Sequence, residues 1–291
     1  MQPELYAWHL PPRQLRRRIV LLAMVTCIAA LCTIGTIAMW CSGDPMARTL
    51  SKYLAAFGAS WFILLALAIT PHLSSINRRP VRTGQIDGQD STIVAGSRTY
   101  FWLTQALFAC YAVMLLVAAV EIVAASAWNA YWHFILFCIG TGLVLAVLPI
   151  LALFNRVRPS KLVLTPEIIA HCDWTSATEL HWDDLDRVIT STVQLPMDRR
   201  PLINIVGLSG ARWSHRYYMP YSIVRGKPNP LWTMDSPPHT GWITLECARF
   251  AVDRTALYRY LAFYAENPAS RKELGTQSGL DRWHATEGTT R

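Results

Sequence analysis

Two clusters of histidine and aspartate in the C-terminal half carry side chains of the kind that bind metal ions or transfer protons. They are His171, Cys172 and Asp173 in one segment, and His181, Asp183 and Asp184 in the next. Adjacent residues of a strand point to opposite faces, so the first three cannot bind one metal ion from the same side. In the second cluster Trp182 is the expected core residue and the acids fit a turn. We therefore expect both clusters to be structural.

No recognisable catalytic motif accompanies these clusters. The C-terminal half lacks the G-x-S-x-G, G-x-G-x-x-G, H-E-x-x-H and P-loop patterns. Of the seven cysteines, most fall in apolar segments, where cysteine behaves as a small hydrophobic residue, and no C-x-x-C pair is present. We therefore predict a protein that is not an enzyme and that uses no metal and no cofactor.

Glu121 is the one carboxylate within the long apolar segments of the N-terminal half. An acid inside a membrane often belongs to an ion or proton pathway. The structural alternative is a hydrogen bond across helices, to Ser126, to Thr36 or to a partner subunit. We favour the structural interpretation, because Glu121 lies about two helical turns from Trp128 at the predicted interface and within reach of water.

The N-terminal half, which contains Glu121, has four apolar segments. They lie at about residues 19–40, 53–70, 101–127 and 132–154. A hydrocarbon core of about 30 Å needs about 20 apolar residues in a helix, and backbone groups in lipid must bond within their own segment. We therefore predict a transmembrane domain of four helices over residues 19–155. Pro149 removes a backbone donor, and Gly140 and Gly142 allow close approach, so we predict a locally bent packing seam in the fourth helix.

Basic residues flank these segments mainly on one side. Beyond the basic tail of residues 1–18, they are Arg78, Arg79, Arg82, Arg156, Arg158 and Lys161. The opposite side has only Arg48 and Lys52. The positive-inside rule then places both termini and the loop 71–100 in the cytoplasm of a multi-pass cell-membrane protein. The same six residues are candidates for contacts with anionic lipid headgroups, each worth about 1 kcal/mol.

The overall charge fits this arrangement. The formal net charge is +8, but the part from residue 156 onward holds 17 basic and 14 acidic residues, so most of the excess lies beside the apolar segments. A nucleic-acid-binding protein would instead carry a basic face with interleaved aromatic residues on its soluble part. We therefore expect no nucleic-acid partner.

Residues 160–270 are predicted to form a β-rich cytoplasmic domain. Short alternating stretches such as LINIVGL and RWSHRYYMP indicate antiparallel strands, and Asp253 is a good N-cap for a closing amphipathic helix. The proline-rich stretch 221–238 predicts an irregular loop, and the polar tail 271–291 predicts disorder. In the middle loop, Asp87-Gly88 predicts a small hairpin that leans on this domain.

Two segments of this half carry a family resemblance. KLVLTPEIIAHCDWTSATELHWDDLDRV resembles the opening of bacterial PH-like domains, with a strand, a Thr-Pro-Glu turn, a second strand and a Trp-Asp-Asp-Leu step. FAVDRTALYRYLAFYAENPASRKEL is similar to the closing helix of uncharacterised, actinobacterial-type multi-pass membrane proteins with such a domain. The resemblance implies a small α+β barrel that ends in a helix, on a membrane-tethered adaptor without catalytic residues. The proline-rich stretch departs from that compact pattern.

The sequence therefore predicts a non-enzymatic integral membrane adaptor or scaffold, whose cytoplasmic PH-like domain binds a protein partner near the membrane. The alternative is an accessory subunit of a transport or cell-envelope assembly complex, in which the helices bind the partner. The expected partners are the lipid bilayer and a membrane or cytoplasmic protein, a second copy of this chain included. An intramembrane enzyme ranks last, because the spans offer only Glu121 and His133 for acid–base chemistry.

Overall fold

The fold consists of two compact units that share the chain in alternation. The computed structural model describes residues 8, 12–73, 80–86, 88–125, 128–194, 199–219, 221–224, 227–230, 235 and 241–289. One unit, here called the helical unit, comprises Pro12–Thr70 and Thr99–Val157. The other, here called the sheet unit, comprises Met1–Pro11, Pro71–Arg98 and Arg158–Arg291.

The helical unit contains four long helices. They are α1 (Pro12–Cys41), α2 (Pro45–Leu73), α3 (Arg98–Ala124) and α4 (Trp128–Leu153). Each is long and apolar enough to cross a membrane, with mean hydropathy between 1.9 and 2.6 in the best window, which confirms the four predicted spans by length and composition. Every helix begins before its predicted span, because polar flanking residues continue the helix beyond the apolar core.

Small residues bring these helices together. A Cβ at Gly58 of α2 would lie 3.0 Å from the Cβ of Cys32 in α1, and one at Gly142 of α4 would lie 2.9 Å from Leu116 in α3. Gly140, by contrast, has no atom within 4 Å of its Cβ position, so only one member of the predicted glycine pair lies at a helix contact. The non-helical torsion angles of α4 occur at Tyr131 and not at Pro149.

The sheet unit is mainly antiparallel β-structure. Its strands are β1 (Val81–Ile86), β2 (Gln89–Ala95), β3 (Lys161–Leu164), β4 (Ile168–Cys172), β5 (Ser176–His181), β6 (Leu185–Gln194), β7 (Arg199–Gly207), β8 (Trp213–Tyr217), β9 (Tyr221–Val224), β10 (Lys227–Pro230) and β11 (Trp242–Glu246). Helices α5 (Arg254–Glu266) and α6 (Gln277–Gly288) follow, and 3₁₀ turns occupy Trp182–Asp184, Cys247–Arg249 and Pro268–Glu273.

The strands form a six-stranded sheet in the order β1-β2-β3-β4-β5-β8 and a three-stranded sheet in the order β11-β7-β6, with β9 and β10 as a separate hairpin. The predicted hairpin of the middle loop is thus part of the main sheet, with a turn at Gly88 (φ +79°) and with β2 paired along β3. The predicted boundary 160–270 is therefore wrong at its start. Val94 of β2 is fully buried in the common core, which explains why the hairpin joins the sheet.

The core lies between the two sheets and helix α5. Asp253 caps α5, its carboxylate accepting from the backbone N–H groups of Thr255 and Ala256 at 2.9 Å each. Trp182 is buried as predicted, and its indole N–H donates to the carbonyl of Thr165 at 2.8 Å. This bond joins the turn after β5 to the loop between β3 and β4.

The N-terminal tail also contributes to this core. Trp8 is 6% exposed, its indole N–H donates to the carbonyl of Ser191 at 3.2 Å, and its ring meets Tyr258 edge-on with centroids 6.0 Å apart. The tail, the middle loop and the C-terminal half therefore fold as one unit. They must lie on the same side of any membrane that the four helices cross.

Two further predictions for the C-terminal half are wrong. The tail 271–291, predicted to be disordered, forms a 3₁₀ turn and helix α6, and Trp283 of that helix packs edge-on against Tyr260 at 5.3 Å. The tail is polar in composition, but one face of α6, which includes Trp283, is buried. The stretch 221–238, predicted to be irregular, contains the paired strands β9 and β10, while residues 225–226, 231–234 and 236–238 lie outside the described residues.

Candidate functional site

The most highly charged buried site of the sheet unit centres on Arg249, at the end of the 3₁₀ turn after β11. Its side chain is 11% exposed, and one guanidinium nitrogen donates to Asp173 at 2.6 Å and to Asp235 at 3.2 Å. The Nε atom donates to Glu246 at 2.9 Å. We call Arg249 and these three carboxylates the arginine hub.

Further donors satisfy the two aspartates of the hub. Asp173 accepts from the hydroxyl of Ser160 at 2.7 Å and from the backbone N–H of Trp174 at 2.9 Å. Asp235 accepts from the backbone N–H and the hydroxyl of Thr175 and, at 2.8 Å, from the hydroxyl of Ser176. Buried carboxylates are tolerated only with such partners, so the site is built around these charges.

Two further contacts surround the hub. The guanidinium of Arg249 lies over the ring of Trp174, 4.7 Å from its centroid, in a cation–π contact. Arg200 of β7 donates to the second oxygen of Glu246 at 2.7 Å. The hub therefore connects both main sheets.

The backbone at the hub lies near two connections of the sheet unit, the segment that leads into α3 and the segment that follows α4. Ser97, next to the first residue of α3, donates its N–H to the carbonyl of Arg249 at 2.7 Å. A Cβ at Gly96 would lie 2.1 Å from the carbonyl oxygen of Ser160 and 3.1 Å from that of Arg249. Glycine is required there because three chain segments meet without room for a side chain.

The two aspartates of the hub differ in their pKa. Burial and the neighbouring Asp173 raise the pKa of Asp235, whereas attraction to His171 and Arg249 outweighs burial and lowers the pKa of Asp173. Asp235 is therefore the member of the hub that most readily takes up a proton.

A row of polar side chains lies beside the hub on the core face of the six-stranded sheet. His171, Thr178 and His215 are direct cross-strand neighbours on β4, β5 and β8. Thr178 shares a hydrogen bond of 2.8 Å with Nδ1 of His215, while Nε2 of each histidine is buried and without a partner among the described residues. Burial lowers the pKa of both histidines, so both imidazoles are neutral near pH 7.

The structure separates the members of the first predicted cluster. His171 is buried on the core face, Cys172 lies on the opposite face, and Asp173 follows the strand and enters the hub. Among the described residues, no group of three or more histidine, cysteine or acidic side chains is placed to hold a metal ion.

In the second predicted cluster each acid bonds an arginine. Asp183 accepts from Arg271 at 2.9 Å, and Asp184 accepts from Arg212 at 2.7 Å. The bonds from Arg212 lower the pKa of Asp184 and keep it ionised. Both acids are therefore engaged in holding the turn around Trp182.

The six basic residues predicted to contact lipid headgroups are only partly described. Arg78 and Arg79 lie outside the described residues, whereas Arg82, Arg156, Arg158 and Lys161 are exposed. Arg82 and Lys161 lie on the same face of the six-stranded sheet, because their partners in β2 are Ile93 and Ala95. Within the described part of the chain, neither of the two makes an ion pair.

Glu121 is engaged in a bond across helices, with partners that differ from the predicted ones. Its carboxylate pairs with the ammonium of Lys52 and accepts from the hydroxyl of Tyr53 at 2.6 Å, both on α2. Thr36 instead bonds the carbonyl of Cys32 within its own helix, and Ser126 lies outside the described residues. The sequence did not indicate Lys52 as a partner, because this residue precedes the apolar segment. Helix α2 begins at Pro45 and therefore includes Lys52.

Sequence reasoning also missed the central residues of the hub. Arg249 and Asp235 lie in segments without clear periodicity, and Asp235 stands in the proline-rich stretch. The only local signal was Asp173 before Trp174-Thr175, a sequence in which an aspartate side chain bonds the following backbone N–H.

Removal of the central cation tests the hub. We expect Arg249→Met to lower the free energy of unfolding of the sheet unit by about 3 to 5 kcal/mol, because three buried carboxylates lose their shared partner. Chemical unfolding of the full-length protein, followed by tryptophan fluorescence, measures this loss. The matched control Arg187→Met changes an exposed arginine of β6 and should cost less than about 0.5 kcal/mol. An equally small effect at Arg249 would contradict the structural role of the hub.

The two buried histidines predict a pH dependence of stability. The unfolded chain protonates histidine near a pKa of about 6.5, whereas the folded unit keeps His171 and His215 neutral, so their stabilising contribution is complete above that pH and is lost below it. Asp235, with a raised pKa, gives an opposite slope that is fully stabilising only at acid pH.

We expect the apparent Tm of the sheet unit to fall as the pH decreases from about 7.5 to about 5, and the double variant His171→Gln/His215→Gln to fall less. Scanning fluorimetry measures both curves. His284→Gln, on the exposed side of α6, serves as the control. Curves of equal slope for wild type and double variant would refute the assignment.

Comparison of the chain with protein-family models, with curated proteins and with solved structures finds no match. Its function must therefore be argued from the geometry of its own residues.

Proposed function

We propose that this protein is a non-enzymatic membrane adaptor, in which the helical unit anchors the chain and the sheet unit binds a protein partner near the membrane. One observation carries the proposal: strands from the loop between α2 and α3 are built into the main sheet. The chain passes between the two units four times, so the sheet unit is held by four connections instead of one flexible linker. Such an attachment suits a domain that presents a binding surface next to a membrane.

The cytoplasm is the proposed side for the sheet unit. The basic residues beside the helices favour this orientation, because arginine and lysine near span ends are retained in the cytoplasm. Arg82 and Lys161, exposed on one sheet face, are proposed to contact anionic lipid headgroups.

A PH-like origin remains our proposal for the sheet unit. Two antiparallel sheets and a closing amphipathic helix, α5, support it. The strand order β3-β4-β5-β8 departs from an uninterrupted meander, because β6 and β7 pair with each other in the second sheet. We propose that the β1–β2 hairpin and α6 are additions to such a domain.

The partner is proposed to bind at one end of the three-stranded sheet. Trp242 of β11 lies opposite Val206 of β7, and Leu208 comes two residues after Val206. Trp242 and Leu208 are 38% and 49% exposed, and exposed tryptophan is enriched among the residues that dominate protein interfaces.

The second candidate is an accessory subunit of a transport or envelope-assembly complex. The bond of Glu121 to Lys52 and Tyr53 favours it, since ionisable residues within a membrane commonly mark functional sites. In that case the helical unit, rather than the sheet unit, would contact the partner.

Chemical cross-linking in cells, followed by purification in mild detergent and mass spectrometry, distinguishes the two candidates. For the adaptor, we expect Leu208→Glu to lower recovery of the cross-linked partner at least about tenfold, because a charge is placed in an apolar contact. Glu121→Gln, which preserves the shape of the side chain but removes the charge that pairs with Lys52, should leave recovery near the wild-type level, because the partner is proposed to bind the sheet unit. Loss with Glu121→Gln and retention with Leu208→Glu would replace the adaptor by the accessory subunit.

A further inference from the structure

The N-terminal tail inserts one large aromatic side chain into the sheet unit. Trp8 lies four residues before the start of α1 and is 6% exposed. Its indole N–H donates to the carbonyl of Ser191 in β6 at 3.2 Å, and its ring meets the ring of Tyr258 in α5 edge-on, with centroids 6.0 Å apart. The guanidinium of Arg254, also in α5, lies over the indole, 5.7 Å from the ring centroid. We call the recess that Ser191, Arg254 and Tyr258 form around this ring the tryptophan slot.

The elements of the slot have contacts of their own besides those with the tail. Strand β6 pairs with β7 from Leu185 to Gln194. Helix α5 packs on the core through a stripe at helical spacing, which consists of Leu257, Tyr260, Leu261 and Tyr264. Arg254 and Tyr258 lie beside this stripe, one helical turn apart, because successive residues of a helix are rotated by about 100°. The slot is therefore a lateral surface of a packed helix, and we expect the fold to persist when the slot is empty.

Three features of the slot match an indole. The carbonyl of Ser191 accepts from the N–H at the edge of the ring, a donor that phenylalanine lacks. Arg254 supplies a cation to the ring face, where tryptophan gives the strongest cation–π contact of the aromatic side chains. Tyr258 adds an edge-on aromatic contact. Within the described part of the chain Arg254 forms no ion pair, so an acidic residue beside the tryptophan of a ligand would find a cation there.

We propose that the tryptophan slot is a recognition site for a tryptophan-bearing segment of a partner protein, and that Trp8 of the chain itself is its autoinhibitory occupant. The occupied slot shows the binding mode that we assign to the partner, an indole between the edge strand β6 and helix α5. Tryptophan often dominates protein interfaces, because it buries a large apolar area and donates one hydrogen bond. Only three residues separate Trp8 from α1, and short tethers give local concentrations on the order of millimolar, so a partner segment must compete with Trp8.

Peptide binding to the full-length protein in lipid nanodiscs tests this proposal. The probe is a dye-labelled peptide of residues 1–11 in which Trp8 keeps its place and the other residues are shuffled. We expect the Trp8→Ala protein to bind this peptide at least about tenfold more tightly than the wild-type protein does, because the tethered competitor is gone. Fluorescence anisotropy measures both affinities. The same peptide with leucine in place of tryptophan should bind to neither protein.

The shuffled order separates recognition of tryptophan from a purely structural role of the tail. Binding of the native-order peptide alone to the Trp8→Ala protein would show that the whole tail is a structural element, and would overturn the proposal. Equal affinity of the two proteins for the shuffled peptide, or no binding to the Trp8→Ala protein, would overturn it as well. If Trp8→Ala lowers the stability of the sheet unit, the shuffled peptide should raise the apparent Tm of this variant, and an unchanged Tm would refute the slot.

Two variants in the Trp8→Ala background locate the bound peptide. Arg254→Met removes the cation over the ring and should weaken binding about two- to fivefold. Leu208→Glu, which alters the partner contact proposed at the end of β7, should leave the affinity unchanged, because the slot lies on β6 and α5. The inference therefore does not rest on that contact. Loss of binding with Leu208→Glu and full binding with Arg254→Met would place the peptide elsewhere and contradict the proposal.

Discussion

The structure depends on the pairing of β2 with β3. These strands are separated in sequence by two helices of the helical unit, and their backbone hydrogen bonds join the loop between α2 and α3 to the C-terminal half. Val94 of β2 and Leu162 of β3 lie opposite each other, and both are fully buried. Without this pairing, β3 would be an edge strand and its apolar side chains would lose one side of their contacts. The sheet unit is therefore assembled from segments that the helices keep apart in sequence.

The arginine hub strengthens the same junction by electrostatics. The carbonyl of Arg249 accepts from the N–H of Ser97, which directly precedes α3. The guanidinium of Arg249 donates to Asp173, which also accepts from the hydroxyl of Ser160, in the segment after α4. Such a cluster contributes little net stability compared with apolar packing, but its rupture leaves buried charges without partners. It therefore favours one arrangement of the junction over others.

The sequence predicted most of the elements, because each had a strong local signal. The four apolar segments, the strands with alternating pattern and the helix capped by Asp253 are all present. It failed where the signal depends on a distant partner. The helix around Trp283 is polar in composition and becomes amphipathic only against Tyr260, and β2 becomes a central strand only through β3.

The candidate sites follow the same rule. The acids beside Trp182 were recognised as structural from their turn-like sequence, and each bonds an arginine. The sequence did not reveal the arginine hub, because the hub joins residues from three separate segments of the chain.

Amide hydrogen exchange of the full-length protein tests the central claim, that the hairpin between α2 and α3 is an integral part of the sheet unit. Peptides from 89–95 and from 161–172 should be protected to a similar degree and should lose protection together as denaturant is added. That result is expected because β2 and β3 share their hydrogen bonds. Rapid exchange in 89–95 while 161–172 stays protected would show that the hairpin is a separate, loosely held loop, and would contradict the account.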